Sequence, residues 1–395
     1  MIGSRPKVSA LLDAIKSVTA PIGDARGLPN DVYVSDELFN LERDRILGRT
    51  WAAIGFASEV PSPGDAKPVE FMRTPLLILR DRQRQLRVFH NVCSHRGMQL
   101  VCEKTKLKAV VRCPYHSWAY TLDGKLSATP HIGGYDENDC EGFDRAKHGL
   151  KTVRFAVWMD IVFVNLSGDA ESFAQFIAPL ERRWDRFLGE QNRDDIRPAK
   201  TGSRLELGVD CNWKLAVENY CEAYHLPWVH PQLDTYSPLD QHFNIIDGDN
   251  MSGQGTYVYR LSETAGTRLP TISAWPGDLL QHAEYISLYP NTLLGLQADH
   301  FFAVIVIPQA VDRTLEMLQI SYVGNAATDD DYASSRTSVL DSWDKVFRED
   351  VFAVEGMQSG RNSPGFDGGI LTPVQDVPTH HFHSWVARRY AQALA

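Results

Sequence analysis

No stretch of this chain approaches the roughly 18 consecutive apolar residues that a membrane-spanning helix needs. Its longest apolar run, around Phe301 to Pro308, has the length of a buried strand. Positive charge is also short: 40 Lys and Arg against 50 Asp and Glu leave a formal net charge of −10. That balance speaks against a general nucleic-acid surface, because a phosphate backbone is gripped mainly through cations. The opening residues MIGSRPKVSALLDAIKSV interrupt their apolar positions with Arg, Lys and Asp, which predicts a short amphipathic helix and not a secretory apolar core. With only six cysteines and no export signal before them, a disulfide framework is not expected, and the expected setting is the cytoplasm. The chain has no internal repeat, no low-complexity tract, no G-x-G-x-x-G and no G-x-S-x-G. Neither a resident nicotinamide or flavin site nor a hydrolase nucleophile is therefore supported.

What is present is enough apolar residue, 43% of 395, for two domains with their own cores. Strand-like runs at Trp51 to Val60, Pro68 to Arg80, Leu86 to Phe89, Ala109 to Arg112, Trp118 to Thr121 and Val153 to Leu166 predict a small all-β domain over residues 42–160. The period then changes. Phe173, Phe176, Ile177, Leu180, Trp184 and Phe187 recur at helical spacing, with Pro179 expected to kink or divide the helix. Strands are expected at Thr256 to Leu261, Ala283 to Leu288, Phe301 to Ile307 and Thr314 to Val323, and a long helix from Ser334 to Gly356. A last strand is expected to expose His381 and His383 on one face, which is preferred to a metal site with His380. Residues 161–395 thus predict an α+β domain, and residues 1–41 an N-terminal helical segment packed on it.

Two clusters of ligand-type residues stand out. Cys93 and His95 form C-x-H, and Cys113 and His116 form C-x2-H, on two loop-like segments seventeen residues apart. One reading is a structural zinc, although C-x-H is not the usual first half of such a site. The other is a two-iron, two-sulfide cluster with cysteines on one iron and histidines on the other, which passes single electrons. Cys102, Cys140, Cys211 and Cys221 lack such pairing and are expected as buried thiols. The second cluster is the segment Asn212 to His230, in which Glu218, Glu222 and His225 are expected along neighbouring faces of one helix. His230 lies beyond Pro227, so a local departure from helix is needed to bring both rings to one metal. A site of two histidines and one carboxylate leaves open positions on iron for dioxygen. The late helix offers Glu349, Asp350 and Glu355 as the acid, and the residues alone do not choose among them.

The spacing of Cys93, His95, Cys113 and His116, with Arg96-Gly97 and Pro114-Tyr115-His116-Ser117-Trp118 around them, resembles the Rieske domain of oxygenases. Over nearly its whole length the chain resembles the catalytic α subunit of a Rieske non-haem iron oxygenase. The resemblance implies a Rieske [2Fe–2S] domain followed by a helix-grip, START-like catalytic domain with an antiparallel sheet. It implies a [2Fe–2S] cluster on Cys93, His95, Cys113 and His116, and a mononuclear Fe(II) on His225, His230 and Asp350, with Glu355 and Gln358 as flanks of the acid. It also implies a homotrimer in which the cluster of one chain faces the iron of its neighbour through Glu222. Glu222, with Asn219 on the same segment, is the candidate catalytic side chain. Most aromatic-ring members carry aspartate at the position of Glu222, whereas glutamate resembles the choline, glycine-betaine and carnitine oxygenases. The expected activity is hydroxylation or oxidative N-demethylation of a small quaternary or tertiary amine with O2.

Electrons are expected from NAD(P)H through a separate flavin/iron–sulfur reductase or ferredoxin, with Lys104, Lys106 and Lys108 as candidate contacts. The aromatic candidates for the substrate pocket are Tyr220, Trp228, Tyr285, Tyr289, Phe301 and Phe302, with His300 beside them. Two competing readings remain: an aromatic-ring hydroxylating dioxygenase or O-demethylase, and, from another class, a zinc-stabilised interaction protein.

Overall fold

The computed structural model describes residues 5–199, 201–259, 267–366 and 368–394. They form two compact units: residues 54–168, and residues 1–53 together with 169–395.

The smaller unit is built from short antiparallel strands. Thr74–Arg80 pairs with both Asp65–Phe71 and Leu86–His90, and Val110–Arg112, Ala119–Thr121 and Leu126–Ala128 make a second sheet. A third sheet joins Ala52–Phe56, Ile161–Asn165 and Arg154–Trp158. Leu77, Leu79, Phe89, Val111 and Tyr120 fill its core, and Cys93 and Cys113 belong to that same cluster. The thiols are thus fixed from the inside while the residues after them reach the surface.

The larger unit carries an antiparallel sheet of eight strands. Its spine is the hairpin His300–Ala310 and Arg313–Val323, extended on one side through Thr292–Leu296, Ala283–Leu288, Met251–Thr256 and His242–Ile246. Ile196–Pro198 and Arg204–Val209 pair one after the other along the far edge of Arg313–Val323. Met251–Thr256 and Thr292–Leu296 were not expected from sequence, because glycines dilute their apolar pattern. The glycine has a use: a Cβ on Gly295 would stand 2.1 Å from the Phe302 ring opposite it. The strand expected from Thr256 to Leu261 is not found: the observed strand ends at Thr256, Tyr257 to Tyr259 are a bend and coil, and residues 260–261 lie outside those described.

Three helices depart from expectation. Phe173–Asn192 runs through Pro179, and its non-helical residue is Gly189, at φ 60°. Ala333–Gly360 continues past the expected end at Gly356. The final segment is not a strand but the helix Val377–Leu394. Phe382, Trp385, Val386 and Tyr390 recur every three or four residues and are all buried, a helical stripe that the histidine pair obscured. His383 is buried there and His381 meets the Tyr289 hydroxyl, so neither is on an exposed face.

Asn212 caps the helix Trp213–Cys221 by accepting from Lys214 N–H at 3.2 Å, worth about 1 kcal/mol. The back of this helix is tied down by buried charge. Lys214 Nζ reaches Glu42 Oε1 at 2.5 Å, and Trp213 Nε1 and the Tyr390 hydroxyl donate to the same carboxylate. Glu218 is held by the Tyr33 hydroxyl, by His383 Nε2 at 3.1 Å and by Arg361 at 3.5 Å. Removing one member of such a buried pair typically costs about 3–5 kcal/mol, so this helix is a fixed platform.

Candidate metal centres

In the smaller unit, two loops of the same shape face each other. Cys93 N–H donates to Met98 O and Gly97 N–H to Cys93 O; Cys113 N–H donates to Trp118 O and Ser117 N–H to Cys113 O, all at 2.8–3.0 Å. The fifth residue of each loop is left-handed: Gly97 at φ 72° and Ser117 at φ 58°. Glycine takes that conformation freely, while serine there costs on the order of 1–2 kcal/mol, which the paired loop hydrogen bonds must hold. Cys93 and Cys113 are buried, whereas His95 is exposed and His116 half-buried. The two rings lie 4.8 Å apart, and Trp118 stacks on His95 at 4.7 Å. His116 Nδ1 is buried with no hydrogen-bond partner among the described residues. Two inner thiols, two outer rings and an orphaned ring nitrogen fit a cluster whose histidine side faces outward.

The Tyr120 hydroxyl lies 3.1 Å from Cys93 Sγ and 2.9 Å from Ser94 Oγ. Burial, with the neighbouring Cys93, pushes the phenol up to about 12, so it keeps its proton and donates toward the sulfur. Cys102 and Cys140, expected as buried, are exposed, while Cys211 and Cys221 are buried as expected. Cys140 lies among Asn138, Asp139 and Glu141, and Cys102 follows the buried Leu100 and Val101 but opens the exposed stretch Glu103-Lys104-Thr105-Lys106.

In the larger unit the expected single helix from Asn212 to His225 is broken. Trp213–Cys221 stops at Glu222, which is extended at φ −123°, ψ 163°. Its carboxylate explains the break: Oε2 accepts the N–H of Tyr224 and, at 3.2 Å, that of His225, so it caps the next turn. The short helix Leu226–Val229 follows and delivers His230. The departure from helix therefore precedes Pro227.

His225, His230 and Asp350 offer ligand atoms that all lie within 4.8 Å of one another. Asp350 Oδ1 stands 3.0 Å from His230 Nε2 and 3.7 Å from His225 Nε2, yet is buried without an aligned hydrogen bond. Ligands about 2.1 Å from a common ion are spaced in this way, so the donor set fits a two-histidine, one-carboxylate iron. Of the three acids on the late helix, geometry selects Asp350. Glu355 turns away and accepts Asp210 N–H at 3.1 Å. Glu349 meets His230 Nδ1 at 2.9 Å, as Glu222 Oε1 meets His225 Nδ1 at 2.7 Å. A carboxylate on each Nδ1 leaves each Nε2 free for a metal. Glu349's place at His230 was missed from sequence; its adjacency to Asp350 was the available signal. Burial opposes charge on His230, but the hydrogen bonds and fields of Asp350 and Glu349 outweigh it and hold the imidazole above its ordinary value.

Beside these donors is a cavity of about 460 Å³, its mouth included, walled by Tyr220, Tyr285, Trp343 and Phe347, with Asn219 and His242 at polar points. His242 is held by Gln254 and Ser237, and burial lowers its pKa, so it stays neutral. Tyr220 and Tyr285 were expected there, and the structure brings both to the cavity. It does not bring the other candidates. Phe301 and Phe302 are consecutive strand residues and point to opposite faces: Phe301 packs on Trp184, while Phe302 packs on Trp343 at 4.3 Å. His300 is a hydrogen-bonded core residue between Trp343 Nε1 and Asp299. Tyr289 is buried against Ser252 and His381, and Trp228 is 70% exposed beside Tyr224. Trp343 and Phe347, on the helix expected from its apolar stripe, were not anticipated as cavity wall. The more open groove between Arg45, Trp51 and Arg389 contains no histidine or cysteine and lies apart from the donors.

Comparison with known proteins bears on both sites. Residues 50–140 match the family model of the Rieske [2Fe-2S] domain, and residues 174–392 match that of the ring hydroxylating alpha subunit catalytic domain. The chain is 27% identical over 378 residues to the carnitine monooxygenase oxygenase subunit of Escherichia coli strain K12, covering 92% of this chain and 94% of the relative. It is 26% identical over 400 residues to the glycine betaine monooxygenase oxygenase subunit of Pseudomonas aeruginosa, covering 93% and 90%. Among solved structures, a quaternary ammonium Rieske monooxygenase in complex with L-carnitine superposes with TM-score 0.76 at 22% identity, covering 95% of this chain and 98% of that one. Naphthalene 1,2-dioxygenase from Rhodococcus sp. gives 0.75 at 17% identity, covering 98% of each. Two such different enzymes share the fold, so the fold does not choose a substrate.

Proposed function

Because the chain belongs to the ring-hydroxylating alpha-subunit family of Rieske non-haem iron oxygenases, we propose that it hydroxylates or oxidatively N-demethylates a small quaternary or tertiary amine such as a betaine, carnitine or choline. The observation that carries this reading is Glu222 bound to His225 Nδ1 beside an aromatic-walled cavity with no lysine or arginine among its described lining residues. The carnitine and glycine betaine monooxygenase subunits, aligned over more than nine-tenths of this chain, support it. The family match sets aside the zinc-stabilised interaction protein. The likeness to naphthalene dioxygenase extends to the fold alone and gives the aromatic-ring alternative no support of its own.

In this reading Cys93, Cys113, His95 and His116 hold the [2Fe–2S] cluster, and His225, His230 and Asp350 hold the mononuclear Fe(II). When bound, these groups supply single-electron delivery and dioxygen activation. The chain's residues set the conditions. Tyr120 donates a hydrogen bond toward Cys93 Sγ, and Trp118 fixes the His95 ring. Glu222 and Glu349 hold the protons of the two imidazoles at Nδ1. Tyr220, Tyr285, Trp343 and Phe347 exclude water and offer ring faces to an onium group. The neutral His242 adds a polar point without repelling a cation. Asn219, which like Asp350 lines the cavity, orients substrate in this reading. Hydroxylation of an N-methyl group yields a carbinolamine, which releases formaldehyde and the demethylated amine.

The working assembly in this proposal is a homotrimer that passes electrons between subunits, with Glu222 as the link to His225. Electrons come from NAD(P)H through a separate reductase or ferredoxin, and the exposed Lys104 and Lys108 are its candidate contacts; Lys106 is engaged with Asp65 at 2.8 Å. Six unpaired cysteines favour a reducing cytoplasm. The test is turnover of glycine betaine, carnitine and choline by the reconstituted protein with a reductase, following O2 uptake and amine product. Activity confined to aromatic acids or hydrocarbons would overturn the amine assignment.

A further inference from the structure

Glu222 belongs to neither of the helices around it. Trp213–Cys221 ends before it, Leu226–Val229 starts four residues later, and its own backbone is extended, so no helical ladder fixes its direction. Its carboxylate nevertheless has exacting work: it accepts the N–H of Tyr224 and His225 and meets His225 Nδ1 at 2.7 Å. A residue between two helices keeps such a direction only if another element pins its main chain. The sheet supplies the pin. Gln254, on the strand Met251–Thr256, donates from Nε2 to the main-chain O of Glu222 at 3.0 Å. Its Oε1 meets His242 Nδ1, on the next strand, at 2.5 Å. A main-chain carbonyl only accepts, so the first contact fixes which way round the amide lies, and the second then requires a proton on His242 Nδ1. His242 Nε2 lies between Ser237 Oγ at 3.0 Å and Ser237 O at 3.2 Å, so both sides of that ring are held. Gln254 is buried, with both ends of its amide in use.

We infer that Gln254 is a positioning residue for the reaction: it fixes the Glu222 main chain, and through it the direction in which the Glu222 carboxylate meets His225, with His242 and Ser237 as the anchor behind it. The inference rests on the reading of Glu222 as the link between the two centres, and deepens it by naming what holds the link in place. A lost amide contact leaves Glu222 free to turn from His225, because the carbonyl it frees has water as its next partner. Gln254 also borders the cavity, so electron delivery and substrate binding have to be measured separately.

The test follows oxidation of the reduced cluster in a single turnover, in full protein loaded with both metals, with whichever of glycine betaine, carnitine and choline wild type turns over. Gln254→Leu removes both amide contacts at nearly constant volume, and oxidation should slow about tenfold, in the same direction as in Glu222→Gln. Affinity for the same amine, by calorimetry without dioxygen, should stay within about threefold. In the Glu222→Gln background the change at 254 should add less than about twofold, since a residue that acts through Glu222 then has nothing left to aim. Gln254→Glu keeps an oxygen for His242 Nδ1 and loses the donor to Glu222, so it should be slow as well; should Gln254→Leu fail to load iron or cluster, this variant decides alone. Wild-type oxidation rates in the loaded variants, additive slowing in the double variant, or a loss of amine affinity as large as the loss of rate would overturn the inference while leaving Glu222 as the link. If Glu222→Gln itself matches wild type, the link fails first and takes the inference with it.

Discussion

The two metal centres are built in opposite ways. The cluster site comes from two loops of one small unit, twenty residues apart between Cys93 and Cys113, each loop closed by the same pair of backbone hydrogen bonds. The iron site joins residues more than a hundred positions apart, from a broken helix at 222–230 and the middle of the late helix. Local loops can be specified by short-range chemistry. The distant carboxylate is delivered only by packing one helix on another. The cluster site should therefore respond to changes within its own loops, and the iron site to changes in the helices and the acids that aim its rings.

The sharpest separation should come from removing one ligand of each. Asp350→Ala should empty the mononuclear site while cluster absorbance persists, and turnover should fall by more than the ~10–100-fold expected for loss of an outer partner. Metal analysis beside the optical spectrum reads this directly; unchanged iron and turnover would point to another acid. Cys113→Ser should do the reverse, abolishing the cluster's EPR signal with iron still bound at His225 and His230. If either variant empties both sites, the centres are not independently built.

Smaller effects should follow from the carboxylates behind the rings. Glu349→Gln should weaken iron affinity by about 10–100-fold, since His230 loses the acid that fixes its Nδ1 proton. Glu222→Gln should leave the cluster intact, weaken iron no more than Glu349→Gln does, and, in protein loaded with iron, slow reoxidation of the reduced cluster, measured by rapid mixing with dioxygen. Normal single-turnover rates in that variant would remove Glu222 from the electron path. Tyr120→Phe should lower the cluster potential without touching iron, because a donor toward sulfur stabilises the reduced, more negative state.

The smallest effect concerns the platform. The Glu218 carboxyl is fully buried, and burial alone would raise its pKa, but His383, Arg361 and Tyr33 hold it below the ordinary glutamate value of 4.5. A depressed folded pKa contributes stability that is fully present above the unfolded value and lost as pH falls through the folded one. Glu218→Gln should therefore lower thermal stability near neutrality and flatten its decline below about pH 4.5. Thermal melts across that range decide the point.

What the amino-acid order determined by itself is the chemistry available: two Cys–His pairs at loop spacing, the His225 and His230 pair, the unbroken apolar runs that make buried strands of Ile161–Asn165 and His300–Ala310, and the stripe of the late helix. These follow from neighbours along the chain. Only the tertiary structure decided which of Glu349, Asp350 and Glu355 faces the histidines, because all three lie within two turns of one helix and differ in what packs against them. It also decided that Phe302 packs behind Trp343 while Phe301 packs on Trp184, that Glu222 ends one helix to cap the next turn, and that the last segment is a helix. Direction toward a partner is a property of packing, and packing is settled between residues far apart in sequence.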